Sequence, residues 1–126
     1  MRGIGTSFLP VPRERASGSR LASLLDQVRA SLDQPWPVER LAAEAAISVR
    51  ALHRRFHEAV GQSPGTWLVS ERVMRARDLL EASALPVEEV AAACGFGSAA
   101  TLRHHFRSTL GVSPASYRAR FTVSAS

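Results

Sequence analysis

Arg50, His53, Arg54 and His57 recur at intervals of one to four residues, so a helix over 48–60 sets them in one outward row of hydrogen-bond donors. Leu52, Phe56 and Ala59 fall on the other side and mark it for a core. A row of guanidinium and imidazole tips binds anions, and Arg adds a planar fork that matches phosphate oxygens and the O6 and N7 edge of guanine. A second row, Ala99, Ala100, Arg103, His104 and Arg107 with Thr101 beside it, falls on a helix over 98–110. It carries the same cations with fewer readers.

Metal chemistry is the competing reading of these residues. His53 and His57 have the i, i+4 spacing of zinc ligands, His104 and His105 lie on the equivalent helix, and Cys94 precedes them. Against this, no HExxH glutamate is present and the two histidine groups belong to separate stretches. No metal site, no cofactor and no enzymatic activity are expected.

The 126 residues suffice for one ordinary domain or two very small ones sharing an element. Net charge is +5, and all sixteen basic residues are Arg. After Glu89 no acidic side chain follows, so Arg103, Arg107, Arg118 and Arg120 make the last third purely positive. Such a balance favours polyanionic partners. The single cysteine, Cys94, excludes an internal disulfide framework. No apolar run is long enough to span a bilayer, and the N-terminus lacks an apolar signal core, so a soluble cytoplasmic protein with no membrane partner is expected.

The elements that must hold the two rows read as all-α. Residues 1–18 contain three Gly and two Pro and are expected to be a flexible leader or linker. From Ser19, Leu21, Leu24, Leu25, Val28 and Leu32 keep one helical face apolar until Asp33-Gln34-Pro35. Pro37 opens a second helix, Val38 to Ala45, and Ser48 caps the third. Ser63-Pro64 launches a long helix through Trp67, Leu68, Val73, Met74, Leu79 and Leu80 to about Ser83. Pro86 opens a fifth helix from Val87 to Cys94, Ser98 caps a sixth that Gly111 closes, and Ser113-Pro114 starts a seventh ending near Phe121. Residues 122–126 are expected to be a fraying tail.

Two halves of this series copy one another. Leu52-x-x-x-Phe56 matches Leu102-x-x-x-Phe106, and Gly61-x-Ser63-Pro64-x-x-Trp67 matches Gly111-x-Ser113-Pro114-x-x-Tyr117, at an offset of fifty residues. Val38-Glu39 matches Val87-Glu88 at forty-nine, so the second turn holds one extra residue. Each unit is a bracing helix, a tight turn and a second helix with a basic outer face, the grammar of a helix-turn-helix. The helix between them, about 30 Å at 1.5 Å per residue, approaches the roughly 34 Å repeat between major-groove faces of a duplex. Both second helices can therefore address one side of a single DNA duplex.

The doubled pattern resembles the AraC/XylS family of bacterial transcription regulators over roughly Leu21 to Phe121. Its most specific part is Val87-x-x-Val90-Ala91-x-x-Cys94-Gly95-Phe96-x-Ser98-x-x-x-Leu102-x-x-x-Phe106 with the sequel Gly111-x-Ser113-Pro114-x-x-Tyr117-Arg118. The resemblance implies a seven-helix, homeodomain-like DNA-binding domain. Its first helix-turn-helix subdomain is expected at 19–62, a linker helix at 63–84 and a second subdomain at 85–121. It also implies RNA polymerase as a partner, and an N-terminal effector domain missing from this chain. The leader Phe8-Leu9-Pro10-Val11-Pro12 is similar to the end of the amidotransferase-like (PfpI-like) domain of one branch of the family.

Arg50, His53 and Arg54 are the expected base readers of the first unit, positions the resemblance also matches to base reading. Ala99, Ala100, Thr101, Arg103 and His104 are the candidates of the second. Ala99 and Ala100 can touch a thymine methyl or let the helix approach closely, so the first unit is expected to supply most of the specificity. Ser48, Arg55, His57, Ser98, Arg107 and Arg118 are expected at phosphates. A non-specific nucleic-acid binder or a helical protein-interaction module is the alternative, and it leaves the doubled pattern unexplained.

Overall fold

Serine hydroxyls start four of the helices. Ser48, Ser63, Ser98 and Ser113 each accept the backbone N–H three residues on, at 3.0, 3.2, 3.1 and 3.1 Å. Each bond satisfies one donor that a helix N-terminus otherwise leaves orphaned. The computed structural model describes the backbone of residues 13–125 and the side chains of residues 20–121. Within it the order is α1 (Arg13–Ala30), α2 (Val38–Ala45), α3 (Val49–Val60), α4 (Pro64–Ala82), α5 (Val87–Ala93), α6 (Ala99–Leu110) and α7 (Pro114–Ala125). No strand occurs among the described residues.

Two boundaries differ from expectation. Helix α1 begins at Arg13, inside the stretch 1–18 read as a leader. Arg13-Glu14-Arg15-Ala16 are good helix formers, and one glycine, Gly18, lowers helix stability by only about 1 kcal/mol. Helix α7 runs through Ala125, although 122–126 was expected to be a tail, because no Gly or Pro interrupts the chain after Phe121. The segment Phe8 to Pro12 lies outside the described residues.

Packing divides the buried side chains into two cores that share one helix. Leu21, Leu24, Val28, Leu32, Trp36, Leu41, Ala42, Ala45, Leu52 and Phe56 pack with Trp67 and Leu68 from the start of α4. Val90, Ala91, Cys94, Phe96, Leu102 and Phe106 pack with Val73, Ala76 and Leu80 from its remainder. The same aromatic pair closes each core. Phe56 meets Trp67 edge-on at 5.6 Å, and fifty residues later Phe106 meets Tyr117 edge-on at 5.6 Å. Two helix-turn-helix subdomains joined by a linker helix are thus built on one repeated plan.

The two turns follow the same backbone path with different residues. Ile47 N–H donates to Ala42 O at 3.0 Å, and Phe96 N–H donates to Ala91 O at 2.9 Å. Both turns pass through a left-handed residue, Ala46 at φ 58° and Gly95 at φ +87°. Glycine adopts this conformation freely, whereas alanine is strained there. Ala46→Gly is therefore expected to raise stability by roughly 0.5–1 kcal/mol, about 1–2 kcal/mol of relieved strain less about 0.4–1 kcal/mol of added unfolded-chain entropy. Urea denaturation measures it, and a midpoint that stays put or falls would contradict the strain assigned to Ala46.

Candidate nucleic-acid interface

The outward faces of α3 and α6 follow from what their inward faces bury. Leu52 and Phe56 on α3, and Leu102 and Phe106 on α6, are fully enclosed, which fixes each helix about its own axis. Arg50, His53, Arg54 and His57 are left exposed on α3, and Ala100, Thr101, Arg103, His104 and Arg107 on α6. Ala99 is half-buried. The expected base-reading residues are thereby gathered into two exposed rows, one on each second helix.

Several arginines elsewhere serve the fold. Arg29 pairs with Glu71 at 2.9 Å, and Arg77 lies 3.5 Å from Asp78. Arg40 donates to Pro35 O at 2.8 Å and lies 3.8 Å above the Trp36 ring, whose Nε1–H donates to Ser31 O at 2.8 Å. Arg72 donates to Leu32 O at 3.1 Å and to Gln34 O at 2.8 Å. These bonds satisfy carbonyls at and just beyond the end of α1. By contrast, no ion pair or side-chain hydrogen bond among the described residues engages Arg50, Arg54, Arg103 or Arg107.

Arg118, expected at a phosphate, also bonds within the fold. Its guanidinium donates to Leu80 O at 3.3 Å, Ser83 O at 3.2 Å and Leu85 O at 2.5 Å, closing the C-terminal end of α4. Sequence reasoning missed this because a basic residue on an acid-free helix reads as surface charge. The half-buried Tyr117 beside it donates to the Glu81 carboxylate, and its phenol is pushed up to about 12 by desolvation and by that carboxylate. Arg72 was missed altogether. The signal available for it was its position in α4, immediately before Val73 on the flank of an apolar face.

The remaining site residues divide by how their polar atoms are engaged. Ser48 and Ser98 spend an acceptor lone pair on their caps, and the Ser98 hydroxyl also lies 3.1 Å from that of Thr101. Arg55 is half-buried, and its buried Nε has no hydrogen-bond partner. His105 stacks on Phe96 at 5.7 Å and meets His104 edge-on at 5.0 Å. Among the described residues no group of three His, Cys, Asp or Glu is arranged to hold a metal. Cys94 is fully buried, and burial pushes its thiol up to about 11, so it is protonated near neutral pH.

This geometry defines a paired helix-turn-helix with two basic recognition faces. A profile of the family described as "Helix-turn-helix domain" matches residues 41–120. The DNA-binding domain of the global transcriptional factor AdpA, crystallised in complex with a target DNA, is 44% identical with a TM-score of 0.80, covering 82% of this chain and 94% of that one. An AraC-type regulator from Chromobacterium violaceum is 25% identical with a TM-score of 0.78, covering 85% and 96%. The transcriptional activator RhaR of Pectobacterium atrosepticum is 33% identical over 112 residues, 89% of this chain and 39% of the relative. A transcriptional regulator of Mycobacterium tuberculosis is 40% identical over 84 residues, 67% of this chain and 32% of the relative. The chain belongs to the AraC-type family of transcription regulators, and it is a sequence-specific DNA-binding domain of that family. It spans about a third of the length of these two relatives. No helix among the described residues is long and apolar enough to cross a membrane.

The internal bonding of Arg118 carries a measurable consequence. Arg118→Ala is expected to lower stability by about 1–3 kcal/mol through the carbonyls it leaves unpaired. The slope of log binding constant against log salt is expected to stay unchanged, since no phosphate contact is lost. Thermal melting together with a salt titration of DNA binding separates this from a phosphate contact, which would shift the slope by about 1 and leave stability nearly unaltered.

Proposed function

We propose that α3 and α6 enter successive major grooves on one side of a single duplex, and that the domain so docked regulates transcription in the cytoplasm through RNA polymerase. The observation that carries the reading is the sorting of arginines. Arg29, Arg40, Arg72, Arg77 and Arg118, on α1, α2, α4 and α7, bond within the fold, while Arg50, Arg54, Arg103 and Arg107 on the two second helices hold exposed forks with no internal partner. A guanidinium left unpaired on a core-anchored helix is suited to guanine or phosphate.

Arg50, His53 and Arg54 are assigned to base edges in the first groove. Ala99, Ala100, Thr101, Arg103 and His104 face the second, where the two alanines permit close approach and contact thymine methyls. Ser48, Arg55, His57, Ser98 and Arg107 are assigned to phosphates. Affinity is then shared between the units, whereas specificity comes mostly from α3. The AdpA domain, 44% identical and solved in complex with a target DNA, supports duplex DNA as the ligand here.

The test begins with selection of bound sites from random duplexes. Arg50→Ala and Arg54→Ala are each expected to reduce discrimination by about 1–3 kcal/mol at particular base positions. Arg107→Ala is expected to weaken all sequences alike and reduce the salt slope by about 1. Selection that returned no preferred sequence, or Arg50 and Arg54 variants that kept the full ratio of specific to random binding, would overturn the assignment of α3.

A further inference from the structure

Leu32 O accepts the Nε–H of Arg72 at 3.1 Å, and the same carbonyl is the nearest atom to the empty side of Gly95. A Cβ on Gly95 would stand 2.1 Å from Leu32 O and 2.7 Å from Arg72 Nε. No side chain fits there. Three parts of the chain meet at this point: the end of the first subdomain's α1, the flank of the shared α4, and the turn that launches the second recognition helix. Arg72 also reaches Gln34 O at 2.8 Å, so its fork spans two carbonyls.

Elsewhere the two subdomains are held together mainly by α4. Among the described residues no first-subdomain helix packs extensively on α5, α6 or α7. Between the subdomains lies an open cleft of about 720 Å³ with Trp36 and Pro37 on one wall, Ala92, Phe96 and Gly97 on the other, and Arg72 lining it. The turn at Gly95 is rigidly linked to α6. Phe96 N–H donates to Ala91 O, and the Phe96 ring stacks on His105 of α6. A shift at Gly95 would therefore be passed on to the second recognition helix.

We infer that Arg72, seated against Gly95 and the end of α1, is a positioning residue that fixes the angle between α3 and α6 and so sets the half-site spacing the domain accepts. The inference rests on the two-groove reading above. One base pair added between half-sites moves the second by about 3.4 Å and rotates it by roughly 35° about the duplex axis. A rigid junction cannot follow that change. A loosened one can follow part of it.

The test uses the selected bipartite duplex, the same duplex with one base pair inserted or removed between half-sites, and a duplex holding the α3 half-site alone. Wild type is expected to lose about tenfold or more in affinity on respacing, a loss of the size of a mismatched base pair or a modest DNA deformation. Arg72→Lys keeps the charge but cannot span both carbonyls, and Arg72→Gln removes the charge as well. Both are expected to cut the respacing loss several-fold while binding the lone half-site within about twofold of wild type. Circular dichroism and melting confirm that each variant is folded at the assay temperature. Wild-type discrimination of spacing retained by either folded variant would overturn the inference alone, as would an equal loss on every duplex including the half-site. A wild-type domain indifferent to spacing would overturn the two-groove reading, and the inference with it.

Discussion

One helix has to be interior to two cores at once, and most of the architecture follows from that. At about 100° per residue, Trp67 and Leu68 face one side of α4, while Val73, Ala76 and Leu80 cluster roughly opposite. A helix with two buried faces has only its flanks left for charge. Those flanks hold Arg72 and Glu81, which carry the side-chain bonds to the end of α1 and to Tyr117, while Glu71, one turn beyond Trp67 on the same side, pairs with Arg29. The shared helix therefore joins its neighbours by packing on its faces and by polar bonds along its edges.

Much of this plan was legible in the chain because it was written twice. Leu52 with Phe56 and Leu102 with Phe106 repeat at fifty residues, and both pairs are fully buried. The serines at 48, 63, 98 and 113 announce helix starts, because a short hydroxyl just before a helix has one favoured partner three residues on. What stayed illegible depended on contacts between segments distant in sequence. Arg118 reaches carbonyls of residues 80, 83 and 85, more than thirty positions away, and Arg72 reaches back to 32 and 34. Periodicity reports the face a residue occupies and is silent about a carbonyl that a turn brings to it. The extension of α1 to Arg13 was hidden for a simpler reason, since glycine and proline set the reading of the whole segment 1–18 although both prolines precede that arginine.

The two long-range arginines show the repeat persisting where residue matching fails. Arg72 on α4 closes the end of α1, and Arg118 on α7 closes the end of α4, so in each subdomain the last helix bonds to the carbonyls that end the first. The two are not equivalent by position. Residue 118 aligns with Leu68, one helical turn before Arg72. The bonding requirement at the helix end is common to both halves, and the backbone that must be satisfied recurs more faithfully than the side chain that satisfies it.

The exposed rows on α3 and α6 are built from arginine and histidine in a chain without lysine. Acetylation of lysine side chains, which silences positive charge on many nucleic-acid-binding surfaces, has no acceptor here. The charge on this face is thus beyond the reach of acyl transfer to lysine, and access to DNA or the arrangement of the two helices are routes by which binding can still be controlled.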